Sequence, residues 1–597
     1  MSKIIRIGAA TAFFNDSRMG ISQLLEKAGE LDYIIFDFLA ESVMGGLGRG
    51  MATGTGQGFA ADFARGYIMP HLQALLDRGI RVIANAGGLN PAACAEDLRN
   101  RAQAAGLEVR IGVVEGDNLF QRCNETVGPD TCDMFDGSRV HDKIESADRV
   151  NSLVAYTGAF PIAAALEAGA DIVITGRAVD SAMALGPLIH EFGWGPDDFD
   201  MLAAGTLAGH LLECSAQITG GTFTDWREVP NWAGIGMPVG ECGADGSLVI
   251  TKPQGTGGLV SIGTVSEQLL YEVSDPQRYF VADVICDFTD VRLEQLGPNR
   301  VAVTGARGLG RTDSYKASLT YEKGWRASAL IPVIGLEAAA KAERLGQELI
   351  ARTNSLLRQS QLPPLTRTHC DIIGGEGLGA TTALCRLVAD HPDQEGAAVL
   401  VREQSSAISH MSVGISLSLA AAVRPLQFIT GFLVPKSSVA LSVSLDGRLL
   451  DHVVAKDARR HDAEVPAPHL PSLPNDADPQ RTLPLIKLAW ARSGDKGNLF
   501  NVAVIARDPV FLPYIAAALT PEAVGAHYGR VLGLGATLEV DRFSVPGLCA
   551  LNFVVRDSMD GGILASTSID AVAKGRAQML LDTPVPVSAA LWHSMAL

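Results

Sequence analysis

The chain has 597 residues, 47% hydrophobic and 19% charged, with a net charge of −17. That length accommodates three or four domain-sized cores, and that composition excludes disorder for the bulk of the chain. The acidic balance excludes the electrostatic footprint of a protein that binds nucleic acid or anionic lipid.

Nine cysteines are scattered without a C-x-x-C pair, which argues against a disulfide framework and a zinc ribbon. The N-terminal residues lack the apolar run of a signal peptide. The most apolar stretch, 417–434, is interrupted by Arg424 and Pro425 and reads as a buried element, not a membrane span. A cytoplasmic location is expected. A mean hydropathy of +0.18 leaves apolar surface for a partner, so a homo-oligomer is expected.

Residues 1–200 alternate between strand and helix patterns. Strands are predicted at 4–10, 33–38, 81–86, 109–114 and 171–174. Helices are predicted from Ser17, Phe59 and Pro91, then from about 148 to 169, with another after Ser181. Residues 45–58 read as a glycine-rich loop and 118–148 as an insertion. This alternation predicts an α/β unit with a parallel, Rossmann-like sheet, and ligands bind beyond the carboxyl ends of such strands. Asp37, Glu41, Asn85, Asn90, Glu115, Asp117, Arg177 and Asp180 gather there, although capping of the following helices is another use for such residues. The run 45–50 follows the second strand and lacks the third glycine of a dinucleotide fingerprint, and no Walker A lysine occurs. No resident cofactor is therefore expected.

Residues 201–464 read as α+β. A helix predicted over 202–217 carries His210, Glu213, Cys214 and Gln217 on one face. That polar stripe beside Leu207, Leu211 and Leu212 suits an acid/base pair, a satisfied hydrogen-bond network or, less directly, metal ligation. Only one His–Glu pair at this spacing is present, so no metal is expected. Lys252 opens a glycine-rich loop, 252–258, fitted to a carboxylate or phosphate or to an ordinary turn. Glu376 sits among glycines at 374–379. Six prolines within 465–484 mark a linker. Beyond it, 485–597 has the proportions of a small ferredoxin-like α+β domain. There, 492–497 reads as a charged hairpin turn at a site edge.

Four motifs carry a family resemblance: Asp171-Ile-Val-Ile-Thr-Gly-Arg-Ala-Val-Asp180; Ala203-Ala-Gly-Thr-Leu-Ala-Gly-His210-Leu-Leu-Glu213-Cys214; Lys252-Pro-Gln-Gly-Thr-Gly-Gly with Glu267 to Tyr271; and Ala491-Arg-Ser-Gly-Asp-Lys-Gly-Asn498. Together they resemble the acyclic terpene utilisation family of AtuA type, with its large N-terminal region and small C-terminal domain in order. The resemblance implies a setting in the degradation of citronellol- and geraniol-like compounds through acyl-CoA intermediates.

The resulting expectation is a catabolic enzyme acting on an acyl-CoA or free acid by a hydration, dehydration or related lyase step. A CoA thioester would enter as substrate. Glu213 is expected to act as general base with His210 as its partner. Asp37, Glu41, Asn90, Asp117 and Asp180 would hold substrate, Arg177 and Lys252 would meet its anionic group, and Gly87 and Gly88 would bring backbone close. Two alternatives stay open: a non-catalytic acyl-CoA-binding or scaffold subunit, and a CoA transferase using Glu213 or Glu376.

Overall fold

A computed structural model describes residues 3–145, 149–375, 377, 380–460, 468–469, 472 and 474–595. Six early strands are β1 (Ile4–Thr11), β2 (Tyr33–Phe36), β3 (Arg81–Ala84), β4 (Ile111–Glu115), β5 (Arg149–Ala155) and β6 (Ile172–Thr175). Five of them run parallel in the order β1, β2, β3, β6, β4. Every residue of β2 and β6 is buried, as expected for parallel strands covered by helices on both faces.

The sheet is mixed rather than purely parallel. Beyond β1, two further strands, β7 (Val239–Gly243) and β8 (Leu248–Thr251), continue it antiparallel, followed by Arg300–Thr304 and Arg292–Gly297. Beyond β4 comes the hairpin Ser442–Leu445 and Arg448–Leu450. Strands from both sides of residue 200 thus share one sheet. Within each flank, tight turns fold neighbouring strands into antiparallel hairpins. Asp446 and Gly447 both have positive φ, 48° and 82°, the requirement of a two-residue hairpin turn.

β5 departs from this sheet. It pairs with the 21-residue strand Ser314–Ile334, which also pairs with Ala420–Pro435 and Thr382–His391. Helix Ala338–Gln359 buries Leu345 and Leu349 against that second sheet. The helix expected from 148 to 169 is therefore β5 followed by the shorter helix Phe160–Glu167. The expected glycine-rich loop at 45–58 is likewise corrected, because helix Glu41–Thr53 occupies most of it. Its glycines serve close packing: a Cβ on Gly48 would stand 1.9 Å from the Asn151 carbonyl oxygen on β5.

The C-terminal ferredoxin-like domain has four antiparallel strands, in the order Ala489–Lys496, Leu499–Ala506, Ala550–Val555 and Val540–Val545. Side chains alternate across such a sheet. Phe500, Val502 and Val504 face a core shared with helices Leu512–Ala518 and Pro521–Val531. Ala503, Ile505 and Ala550 join the core beneath the large sheet. The residues expected to form a turn at 492–497 lie mostly on the first strand, and the turn itself is Gly497-Asn498. Part of the proline-rich segment falls outside the described residues. Among the described residues no single helix is long and apolar enough to cross a membrane.

Candidate active site

Three loops follow the carboxyl ends of β1, β2 and β6 and open into a cavity of about 700 Å³. The second sheet, the 118–145 segment and the C-terminal domain complete its walls. The floor is built on Arg177, just after β6. Its backbone N–H donates to Asp117 Oδ2 at 2.7 Å, its Nη1 donates to the Leu39 carbonyl at 3.0 Å, and its guanidinium also binds Asp180. The guanidinium lies 4.3 Å from the centre of the Tyr156 ring, and its buried Nε has no hydrogen-bond partner among the described residues.

Asp37 follows β2. It accepts from Asn85 Nδ2 at 2.6 Å and from the Leu39 N–H at 3.2 Å. Burial pushes its carboxyl well above the ordinary range, and the neighbouring Asp180 adds to this against the pull of Arg177. Asp117, behind the floor, is raised by burial to about 7, partly offset by its backbone bond to Arg177.

Helix Phe199–Glu213 brings its last turn to the cavity. His210 is buried, and its Nε2–H donates to the Leu269 carbonyl at 3.0 Å. That bond fixes which nitrogen carries the proton, so Nδ1 faces Glu213 Oε1 at 3.5 Å. Burial raises the Glu213 carboxyl and Asp180 adds to it, with His210 opposing. Burial works against protonation of His210, but Glu213 outweighs it and raises its pKa. The pair therefore keeps a proton to higher pH than the two groups would in water.

Lysines also line the cavity. Lys316, on the long strand, binds Glu41 at 3.0 Å and lies 4.6 Å from the Tyr156 ring centre. Burial opposes ionisation of Glu41, yet Lys316, Lys496 and Arg177 outweigh it and hold the carboxylate well below its usual range. Lys496, from the C-terminal domain, donates to Glu272 Oε2 at 2.8 Å. Its neighbour Asp495 is raised to about 7 by burial and by Glu272. The turn carrying Tyr271 and Glu272 is itself held by that domain. Asn501 accepts from the Glu272 N–H at 3.1 Å and donates to the Leu270 carbonyl at 2.8 Å. Asp133, Phe135 and Lys143 bring the 118–145 segment to the same cavity.

Among the residues singled out from sequence, Asp37, Glu41, Arg177, Asp180 and Glu213 line the cavity together. His210 stands behind Glu213, and Asp117 holds the Arg177 backbone from behind. Four others are elsewhere. Lys252 donates to the Thr256 carbonyl at 2.9 Å within its own turn. Asn90 caps helix Pro91–Ala104 by accepting from the Ala93 N–H. Gly87 allows close packing, since a Cβ would meet the Thr175 carbonyl oxygen at 2.6 Å. Gly88 takes a left-handed turn at φ 54°. Glu376 lies outside the described residues. Lys316, Glu272 and Lys574 were missed as site residues. Lys316 had no local signal of its own, because the same strand also carries Glu322, Lys323 and Arg326. Among the described residues no group of three or more His, Cys, Asp or Glu is disposed to hold a metal ion.

The arrangement can hold an anionic group against the lysines while carboxyls that retain protons near neutrality exchange them with the bound molecule.

Residues 5–445 match the family model for acyclic terpene utilisation family protein AtuA, and residues 483–586 match that of the AtuA ferredoxin-like domain. No curated protein matches the chain. One similar solved structure is described as "a putative aminohydrolase from methicillin resistant Staphylococcus aureus". It is 14% identical over 29% of this chain and 39% of its own, with a TM-score of 0.12, and at that level the likeness carries no argument.

Proposed function

This chain belongs to the acyclic terpene utilisation family AtuA, and we propose that it is a catabolic enzyme adding or removing water at a branched, acyclic acid or its CoA thioester. The observation that carries the reading is the polarity of the cavity. Asp37, Asp180, Glu213, Lys316 and Lys496 line the same cavity. Hydration of a 2-enoyl group needs both halves: positive charge where the enolate oxygen develops, and a group able to take a proton from water near neutral pH.

In this reading Lys316 and Lys496 hold the carboxylate or thioester oxygen. Glu213 takes the proton, and His210 keeps its carboxyl oriented. Arg177 fixes Asp180 and the 37–41 loop. The apolar lining, Phe135, Tyr156, Tyr279, Tyr321 and Phe428, receives the branched chain. A volume of about 700 Å³ falls in the range of small-molecule sites, and a CoA moiety would extend from the mouth.

Self-association is part of the proposal. Ile334, Leu336, Val413, Leu417 and Leu419 are all at least half exposed, and they lie on paired segments, since the Ile334 N–H donates to the Gly414 carbonyl and the Leu419 N–H to Leu330. A second copy is the proposed cover. Light scattering that finds only a 62.9 kDa species at working concentration contradicts this part.

The test of the activity is a panel of branched 2-enoic acids and their CoA thioesters, followed by loss of enoyl absorbance. Turnover of at least one member, lost on Glu213→Gln, is expected. Turnover equal in both proteins removes Glu213 from the chemistry.

A further inference from the structure

Lys574 has no role in the hydration reading, yet its surroundings are those of a placed functional group. It lies on the C-terminal domain and lines the same cavity. Its Nζ donates to the Tyr271 hydroxyl, sits 4.0 Å from the centre of that ring and 3.8 Å from Glu272 Oε1. Arg492 lies over the same ring at 4.3 Å. Cys214, at the end of helix Phe199–Glu213, also faces the amine.

The backbone that presents Lys574 is tied at several points. Both oxygens of Asp570 are used, one accepting from the Lys574 N–H and the other from the Gly575 N–H, each at 2.9 Å. Ser493 Oγ donates to the Ala573 carbonyl at 2.6 Å. Ala573 itself has φ 51°, a left-handed conformation that alanine adopts only when its surroundings impose it. Farther out, Arg326 and Arg367 donate to the Ala565 carbonyl and Arg386 donates to Thr567, so the second sheet anchors the same loop. Strain and anchoring together aim one lysine into the cavity.

We propose that Lys574 is a carbonyl-reactive amine that binds a ketone or aldehyde group of a carboxylate-bearing ligand as an imine. The neutral amine adds its lone pair to the carbonyl carbon. The proton lost from nitrogen passes through the Tyr271 hydroxyl to the former carbonyl oxygen, giving a carbinolamine. Loss of water, with a proton delivered along the same path, leaves a C=N bond to Lys574. The balance is one carbonyl and one amine giving one imine and one water, with no change of oxidation state.

Burial lowers the amine to about 8, with Cys214 opposing, so a useful fraction is uncharged at neutral pH. Lys496 and Lys316 supply the charge for the ligand's carboxylate. A desolvated lysine is a known route to an activated amine nucleophile. The inference goes beyond the hydration reading and is tested without any turnover assay.

The test is reductive trapping on the full-length protein with cyanoborohydride, read by peptide mass spectrometry. With formaldehyde, methylation of Lys574 should reach its half-maximal rate near pH 8, about two units below the ordinary value of a lysine, near 10.4. With 4-oxopentanoate at pH 7, a single adduct on Lys574 is expected, at least ten-fold above the exposed Lys27 or Lys456. Tyr271→Phe should slow that adduct several-fold without moving it, and Lys574→Met should abolish it. A Lys574 methylation midpoint near pH 10, or an oxopentanoate adduct spread over the exposed lysines, overturns the proposal.

Discussion

Arg177 and Arg326 are equally buried, each 2% exposed, but their surroundings differ. Arg326 donates to both oxygens of Asp390 at 2.7 and 2.9 Å and to the carbonyls of Ser566 and Ala565, each at 2.6 Å. Asp390 also accepts from Arg367 at 2.8 Å. Charge there is closed and fully bonded, and it clamps the C-terminal domain's loop to the second sheet. Arg177 has an Nε without a hydrogen-bond partner among the described residues, and its carboxylate partner Asp180 is 28% exposed toward the cavity. Satisfied buried charge holds a structure together, whereas buried charge bordering a cavity marks a candidate binding site.

The largest effect is expected at the closed cluster. Asp390→Ala leaves the buried Arg326 without its carboxylate, while Arg367 keeps Asp560. Removing one partner of a buried pair typically costs about 3–5 kcal/mol, so thermal unfolding should begin at clearly lower temperature. A melting curve matching the wild type would show that the cluster is dispensable. In the open cluster the effect should fall on turnover instead. Glu213→Gln keeps the side-chain shape and should lower turnover by at least ~10²-fold with near-normal melting. A destabilised but active variant would make Glu213 structural.

Asp117 sharpens the contrast through pH. Its folded pKa is raised by burial to about 7 from an ordinary 3.8. Between those values the folded protein holds a proton that the unfolded chain has lost, so this group's contribution to stability is full at low pH and falls as pH rises through the window. Asp117→Asn keeps an acceptor for the Arg177 N–H and cannot titrate. Relative to wild type it should gain stability from about pH 4 to pH 7 and level off above, reaching about 4 kcal/mol, at a scale of about 1.4 kcal/mol per pKa unit. Urea unfolding at pH 4.5, 6 and 8 reads this, and a pH-independent difference contradicts it. The smallest effect belongs to Lys252→Met. This lysine closes its own turn, so stability should change by no more than about 0.5 kcal/mol and turnover by less than a few-fold. A large loss of turnover alone would place Lys252 back at the site.

Part of this contrast was legible in the sequence. Asp37, Arg177 and Asp180 follow strands of a parallel sheet, and the rule that ligands sit beyond such strand ends picks them out. Glu213 was visible within a polar stripe on an otherwise apolar helix. The same rule also selected Asn90, which caps a helix, because capping and binding use the same residue types at the same position. Lys316, Glu272 and Lys574 could not be found this way. They converge only after pairings that link β5 to residues beyond 314 and dock the C-terminal sheet onto the 270–274 turn. Local periodicity does not encode such contacts. The antiparallel flanks were signalled, by Asp245-Gly246 and Asp446-Gly447 between short apolar runs, yet the strand–helix alternation upstream drew the reading toward an all-parallel sheet.

In the proposed function the open cluster, and not the closed one, receives the substrate. The most direct test is a crystal structure of the protein soaked with a branched 2-enoic acid. The account predicts the acid's carboxylate against Lys316 and Lys496, its double bond within reach of Glu213 and its branched end among Tyr279, Tyr321 and Phe428. An acid bound outside this cavity, or lying in it with its carboxylate away from both lysines, would contradict the account.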